Sequence, residues 1–174
     1  MGFYLSVSSP RQVARPGQPG AAADFEEVFR HDGPALWRTI YAFAAGRRDV
    51  ADEAVAEAFA RALERAGQIR DPVPWLYRTA FRIAAEILRR ERRRPAPEQD
   101  PGAVPAPGLA ALIPALRRLS PGQRAAIVLH YEADLPVSEV ARRMGTSAGV
   151  VRVHLTRGRR RLRELLGDEE TSDD

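Results

Sequence analysis

The chain has no cysteine, which excludes a disulfide framework and a thiolate metal site. Its three histidines, His31, His130 and His154, are far apart, and neither an HExxH arrangement nor a glycine-rich phosphate loop is present. Each histidine reads as an ordinary surface or core residue, so no catalytic residue, metal or cofactor is expected and the chain does not read as an enzyme. No window approaches the roughly 18 consecutive apolar residues that span a bilayer. The short apolar start at Phe3, Tyr4 and Leu5 lacks the basic flank and long apolar core of a secretory leader. A soluble, cytoplasmic protein with no membrane contact and no small-molecule substrate is the expectation. Lysine is absent as well, and all 27 basic residues are arginine.

Those arginines are unevenly placed. The formal net charge is only +4, yet Leu109 to Gly167 holds 11 arginines against four acidic residues, while Asp168 to Asp174 carries five acidic residues and no base. A basic excess concentrated in one segment suits a polyanion, because each neutralised phosphate releases condensed counterions. Within 95–108, PAPEQDPGAVPAPG, five prolines and two glycines leave almost nothing able to pack. That stretch reads as an extended connector. The chain therefore divides into an unstructured arm at 1–20, a helical domain at 21–94, the linker at 95–108, a second helical domain at 109–167 and an acidic tail at 168–174. The expected fold class is all-α, two small helical domains joined by a Pro-rich linker.

Leu135 to Leu166 carries the sharpest pattern. Val137, Val140, Ala141 and Met144 fall at i, i+3, i+4 and i+7 of a short helix. Gly145 then stops it, and Thr146 or Ser147 can cap a second helix. In that second helix Val151, Leu155, Gly158, Leu162 and Leu165 share one side, leaving Arg152, His154, Arg157, Arg159, Arg160, Arg161 and Arg163 mostly elsewhere. This is the pattern of a helix-turn-helix whose second helix enters a DNA major groove; the plainer alternative is a solvated basic hairpin in a bundle.

The first domain reads as three or four helices. Asp24 is a candidate cap, Gly33 and Pro34 are expected to break the first helix, and an apolar face resumes at Leu36, Trp37, Ile40 and Tyr41. Val50 to Ala66 pairs a buried stripe with the carboxylates Asp49, Asp52, Glu53 and Glu57, which suit a helix N-terminus and equally make a docking surface for a basic partner. Gly67 to Pro74 is expected to be a loop, and Trp75 to Arg94 a helix ending in the basic run Arg89, Arg90, Arg92, Arg93 and Arg94.

Taken in order, DFEEVFRHDGPALWRTIYAFAAG, VADEAVAEAFARALERA, PVPWLYRTAFRIAAEILRRERRR, LIPALRRLSPGQRAAIVLHYEADLPVSEVARRMG and TSAGVVRVHLTRGRRRLREL resemble an extracytoplasmic-function sigma factor, the promoter-specificity subunit of bacterial RNA polymerase. The resemblance implies core RNA polymerase and promoter DNA as partners, with an anti-sigma factor as a further one. It puts Asp52, Glu53, Glu57 and Phe59 on the polymerase-docking helix. Gly67 to Pro74 matches a loop that captures a flipped base, and Arg70, Asp71, Trp75, Arg78, Arg82, Arg89 and Arg90 become minus-ten residues. Ser147, Arg152, His154, Arg157 and Arg160 become minus-thirty-five residues. Ala56, Arg82, Glu86, Val150, Val153 and His154 depart from the family's usual choices, so the promoter sequence does not carry over. An exposed valine on the recognition helix can read a thymine methyl or pack on a partner. The competing class is a conventional helix-turn-helix regulator that acts without polymerase, although no dedicated dimerisation helix is visible.

Overall fold

Helix-forming runs punctuated by glycine and proline produce a computed structural model with seven α-helices and no strand among the described residues: α1 (Pro19–Phe43), α2 (Arg48–Glu64), α3 (Pro72–Glu91), α4 (Pro107–Arg117), α5 (Pro121–Ile127), α6 (Val137–Met144) and α7 (Ala148–Glu170). The structure describes the backbone of residues 19–91 and 107–170, and the side chains of residues 25–91 and 112–167. Residues 1–18 of the expected arm, nearly all of the linker, Arg92 to Arg94 and the end of the acidic tail lie outside the described residues, while Pro19 and Gly20, expected in the arm, already belong to α1.

The break expected at Gly33 and Pro34 is absent, and α1 runs straight through them. Proline removes one i→i−4 hydrogen bond from a helix. Here Pro34 sits on the exposed side, where water can replace that bond, while Phe25 on one side of it and Leu36, Ile40 and Phe43 on the other are buried. Burial of both flanks outweighs the lost bond. Asp24 accordingly lies inside α1 and is not its cap. The third helix also starts earlier than expected, at Pro72 instead of Trp75. Proline at the first helical position has its φ already set and needs no N–H partner there. A short 3₁₀ turn, Ala66–Gln68, takes up the first part of the expected loop.

The first three helices pack as a bundle around Leu36, Ile40, Phe43, Leu76 and Tyr77, each at most 2% exposed. Phe43 and Phe81 meet edge to face at 4.9 Å between centroids. Arg47, between α1 and α2, ties the bundle's ends together: its guanidinium donates to Asp49 and, at 2.8 Å, to Glu91 at the end of α3. Those hydrogen bonds hold the Asp49 carboxyl below its ordinary range and push the guanidinium further up.

In the second half, Ser120-Pro121-Gly122-Gln123 builds a capping box. Ser120 Oγ accepts from the Gln123 N–H at 3.4 Å, and Gln123 Oε1 accepts from the Ser120 N–H at 3.2 Å, an arrangement contributing about 1 kcal/mol. The C-terminal end of α5 widens into a π turn over Val128–Glu132. His130 Nδ1 lies 2.8 Å from the Leu135 carbonyl oxygen, closing the approach to α6. Glycine is required at 145, which adopts φ +67° and ψ 37°, so that the Thr146 N–H reaches back to the Ala141 carbonyl at 3.0 Å.

The two halves are not held apart. Arg124 of α5, 4% exposed, donates to the Phe43 carbonyl oxygen at 3.0 Å and lies 5.4 Å from the centroid of that ring. Arg117 donates to the Ala45 carbonyl at 3.5 Å, and one apolar cluster runs from Phe25 through Leu116, Leu129 and Val140 to Leu155. α5 packs its apolar face mainly on α7, while α4 touches both α7 and α1 and the turn after α5 also meets α1.

Candidate nucleic-acid interface

The expected recognition helix is α7, and its apolar stripe fixes which way it faces. Val151 and Leu155 are at most 2% exposed, Gly158 is buried and Leu165 is nearly so. Gly158 lets α7 approach α5 closely: a Cβ there would lie 3.0 Å from Ile127 Cγ1. The opposite side presents Arg152, Arg157, Arg159, Arg160 and Arg163 to solvent. Ser147, expected among the DNA contacts, uses its hydroxyl as the N-cap of α7, accepting from the Val150 N–H at 3.3 Å. Its role in positioning the helix is thus direct. His154 is half-buried against α5, so close to Gly122 that a Cβ on that glycine would meet the imidazole at 2.7 Å. The groove-facing place expected for His154 is therefore corrected: the ring packs on α5. Val150 and Val153, one turn apart, are 43% and 47% exposed, and they lie on the same basic surface as Arg157.

The minus-ten candidates follow α3. Arg70, Asp71, Arg78 and Arg82 are exposed, and Trp75 is half-buried against the core. Glu86 accepts from Arg89 at 2.8 Å and from Arg90 at 2.9 Å, and these hydrogen bonds lower its carboxyl pKa. The basic end of α3 is thereby partly neutralised by a residue of its own helix.

On α2 the acidic face is present, but it is engaged. Asp52 accepts from the Trp37 indole at 2.7 Å and Glu57 from Arg61 at 2.7 Å. Glu53, Glu57 and Arg61 line an open groove of about 380 Å³ with Arg82, Glu86 and Arg90 of α3. Phe59 is corrected as a contact residue. It is 7% exposed and meets Phe29 edge to face at 4.8 Å, so it supports α2 from within. The large apolar surfaces beside it are Phe29 and Leu63, 55% and 54% exposed; the helical stripe carried no sign that these two stay outside.

Among the described residues no group of His, Cys, Asp or Glu is placed to hold a metal ion, and no helix is long and apolar enough to cross a membrane. An acid-faced helical bundle joined to a helix-turn-helix with an arginine-rich second helix defines a two-part DNA-binding protein of the sigma class. The family model Sigma-70, region 4 matches residues 109–162. The ECF RNA polymerase sigma factor SigM of Mycobacterium tuberculosis is 31% identical over 154 residues, covering 82% of this chain and 77% of that protein. The ECF RNA polymerase sigma factor BldN of Streptomyces coelicolor is 29% identical over 177 residues, covering 91% of this chain; this chain spans 66% of that relative's length. Among solved structures, the sigma factor RpoE of Bartonella quintana, in complex with the anti-sigma factor NepR, superposes with a TM-score of 0.66 at 22% identity, over 87% of this chain and 99% of that one. The chain belongs to the ECF RNA polymerase sigma factors.

Proposed function

We propose that the chain confers promoter specificity on core RNA polymerase. α2 docks on the polymerase through Asp52, Glu53 and Glu57, the start of α3 and the loop before it read the minus-ten element, and α7 reads the minus-thirty-five element. The observation that carries this reading is the exposed arginine face of α7, set by a buried stripe inside the segment that matches region 4. In a helix-turn-helix the second helix enters the major groove and the first crosses the backbone. Arg152 and Arg157 are the side chains placed to contact base edges or phosphates, and Val150 and Val153 offer apolar surface to thymine methyls. An anti-sigma factor is the further partner that family membership brings. No bond is made or broken by this chain, whose contribution is binding, positioning and strand selection.

The test is complex formation. The purified chain should co-elute stoichiometrically with core RNA polymerase, and charge reversal at Asp52, Glu53 and Glu57 together should weaken the complex. Unchanged co-elution of the triple variant would remove the docking assignment. Absence of any complex, with tight binding of the lone chain to paired half-sites, would favour a conventional regulator.

A further inference from the structure

Three poor helix formers stand together on the outward side of α7. Val150 and Val153 are 43% and 47% exposed, and a β-branched residue there lowers helix stability relative to alanine. Beside them is Gly149, also exposed and inside the helix. The fold does not require glycine at this position: a Cβ would meet only Ser147 Oγ, at 3.7 Å. Gly149 and Val153 adjoin at i, i+4, and Val150 and Val153 at i, i+3. The three residues therefore shape a shallow apolar notch, with glycine at its floor and a valine on each of two sides.

The surroundings decide what the notch accepts. Arg152 and Arg157 flank it, and among the described residues neither makes an ion pair or a hydrogen bond. Further along the helix, Arg160 and Arg161 lie 3.7 Å and 3.1 Å from Glu164. The uncommitted guanidiniums beside the notch thus sit in the N-terminal part of α7, the part of a recognition helix that meets base edges. An apolar protein surface laid on the valines would bury both charges unpaired, at a large cost. A DNA major groove offers them phosphate and guanine oxygens. It also offers the valines the one apolar group that base edges carry there, the methyl on C5 of a pyrimidine.

We propose that Gly149, Val150 and Val153 form a methyl-reading notch, which selects a C5-methylated pyrimidine in the upstream element, thymine and 5-methylcytosine alike. The proposal rests on major-groove reading by α7 and names the chemical group that is read. Thymine and 5-methylcytosine share the methyl and differ at position 4, where thymine accepts a hydrogen bond and cytosine donates one. Valine touches the methyl and has no polar group with which to test position 4. Uracil and unmodified cytosine present nothing to the notch. Methylation of a cytosine facing it therefore strengthens recognition, so the upstream contact responds to DNA methylation. Burying one methyl raises affinity about fourfold, from about 0.8 kcal/mol per group.

Duplex pools randomised over the upstream segment test it, made with thymine or uracil and with cytosine or 5-methylcytosine. The full-length chain, alone and bound to core RNA polymerase, is mixed with each pool and the bound duplexes are sequenced. Thymine should be enriched at one or two positions, with uracil about fourfold less so. At those positions 5-methylcytosine should be enriched about fourfold over cytosine. V150A/V153A should erase both differences. G149L, whose side chain fills the notch from open space, should erase them too while melting no lower than the wild type, since leucine favours helix over glycine. The notch is overturned if thymine and uracil are enriched equally or if the differences survive in V150A/V153A. It is also overturned if that variant loses polymerase while keeping the preference for thymine over uracil, which would make the valines a protein contact. Pools without any upstream enrichment would overturn major-groove reading by α7 and the notch with it, whereas equal thymine and uracil enrichment removes the notch alone.

Discussion

Replacing Gly145 by alanine perturbs two things at once, and the structure separates them. The residue sits at φ +67°, where an L side chain costs about 1–2 kcal/mol relative to glycine. Its new Cβ would also lie 2.6 Å from Arg78 Cδ, closer than any real contact, so the flexible Arg78 chain must leave its rotamer at about 0.5–1.5 kcal/mol. Together these predict a loss of about 2 kcal/mol, or a fall in melting temperature of roughly 4–8 °C for a chain of this size. Thermal unfolding followed by circular dichroism at 222 nm measures it. In an Arg78→Ala background the contact contribution disappears and only the backbone cost remains, so the same substitution should cost about half as much. Gly145→Asn should relieve the backbone cost while keeping the contact, because asparagine tolerates the left-handed region. An unchanged melting temperature for G145A would refute the backbone argument. An identical loss with and without Arg78 would show that the turn does not rest on α3 in solution.

Arg152→Ala or Arg157→Ala should weaken binding to the minus-thirty-five duplex by about 1–3 kcal/mol if the arginine reads a base, and uniformly across sequences if it holds a phosphate; titration against matched and mismatched duplexes distinguishes the two. V150A/V153A should leave the melting temperature within about 1 °C, since both side chains are exposed, yet reduce discrimination for A·T pairs in the same titration. Stability should be flat from pH 8 to 5 and fall below about pH 4. The Asp49 carboxyl is held below its ordinary value by hydrogen bonds from Arg47. Glu139 is also lowered: burial alone would raise it, but the hydrogen bonds from Arg142 and Arg143 outweigh burial. Groups lowered on folding contribute fully above their unfolded values near 4 and lose that contribution as pH falls through the folded ones. A melting temperature that rose on acidification to pH 3 would contradict those pairings.

Elements whose faces are set by local periodicity were legible in the sequence. The stripes of α6 and α7, the stop at Gly145 and the cap at Ser147 all follow from 3.6-residue spacing and the φ that only glycine adopts cheaply. The continuity of α1 was not, because proline propensity speaks for Pro34 alone while the outcome depends on what Leu36 and Ile40 bury. Phe59 and His154 show a second limit. Periodicity alone puts Phe59 in the buried stripe of its helix, and only the family resemblance made it a docking residue; the resemblance likewise put His154 on the DNA, whereas Phe29 and Gly122, distant in sequence, supply the contacts both side chains make. The junction of Arg124 with Phe43 spans 81 positions and has no local signature, so the contact between the two halves came only from the structure.

The most direct test of the account is promoter-dependent transcription. Purified chain, core RNA polymerase and a template pool with randomised minus-ten and minus-thirty-five segments should yield run-off RNA only when the chain is present. The transcribed templates should be enriched at both segments, with the upstream enrichment lost in R152A/R157A. Core polymerase that initiates equally without the chain, or transcripts showing no enrichment at either segment, would contradict it.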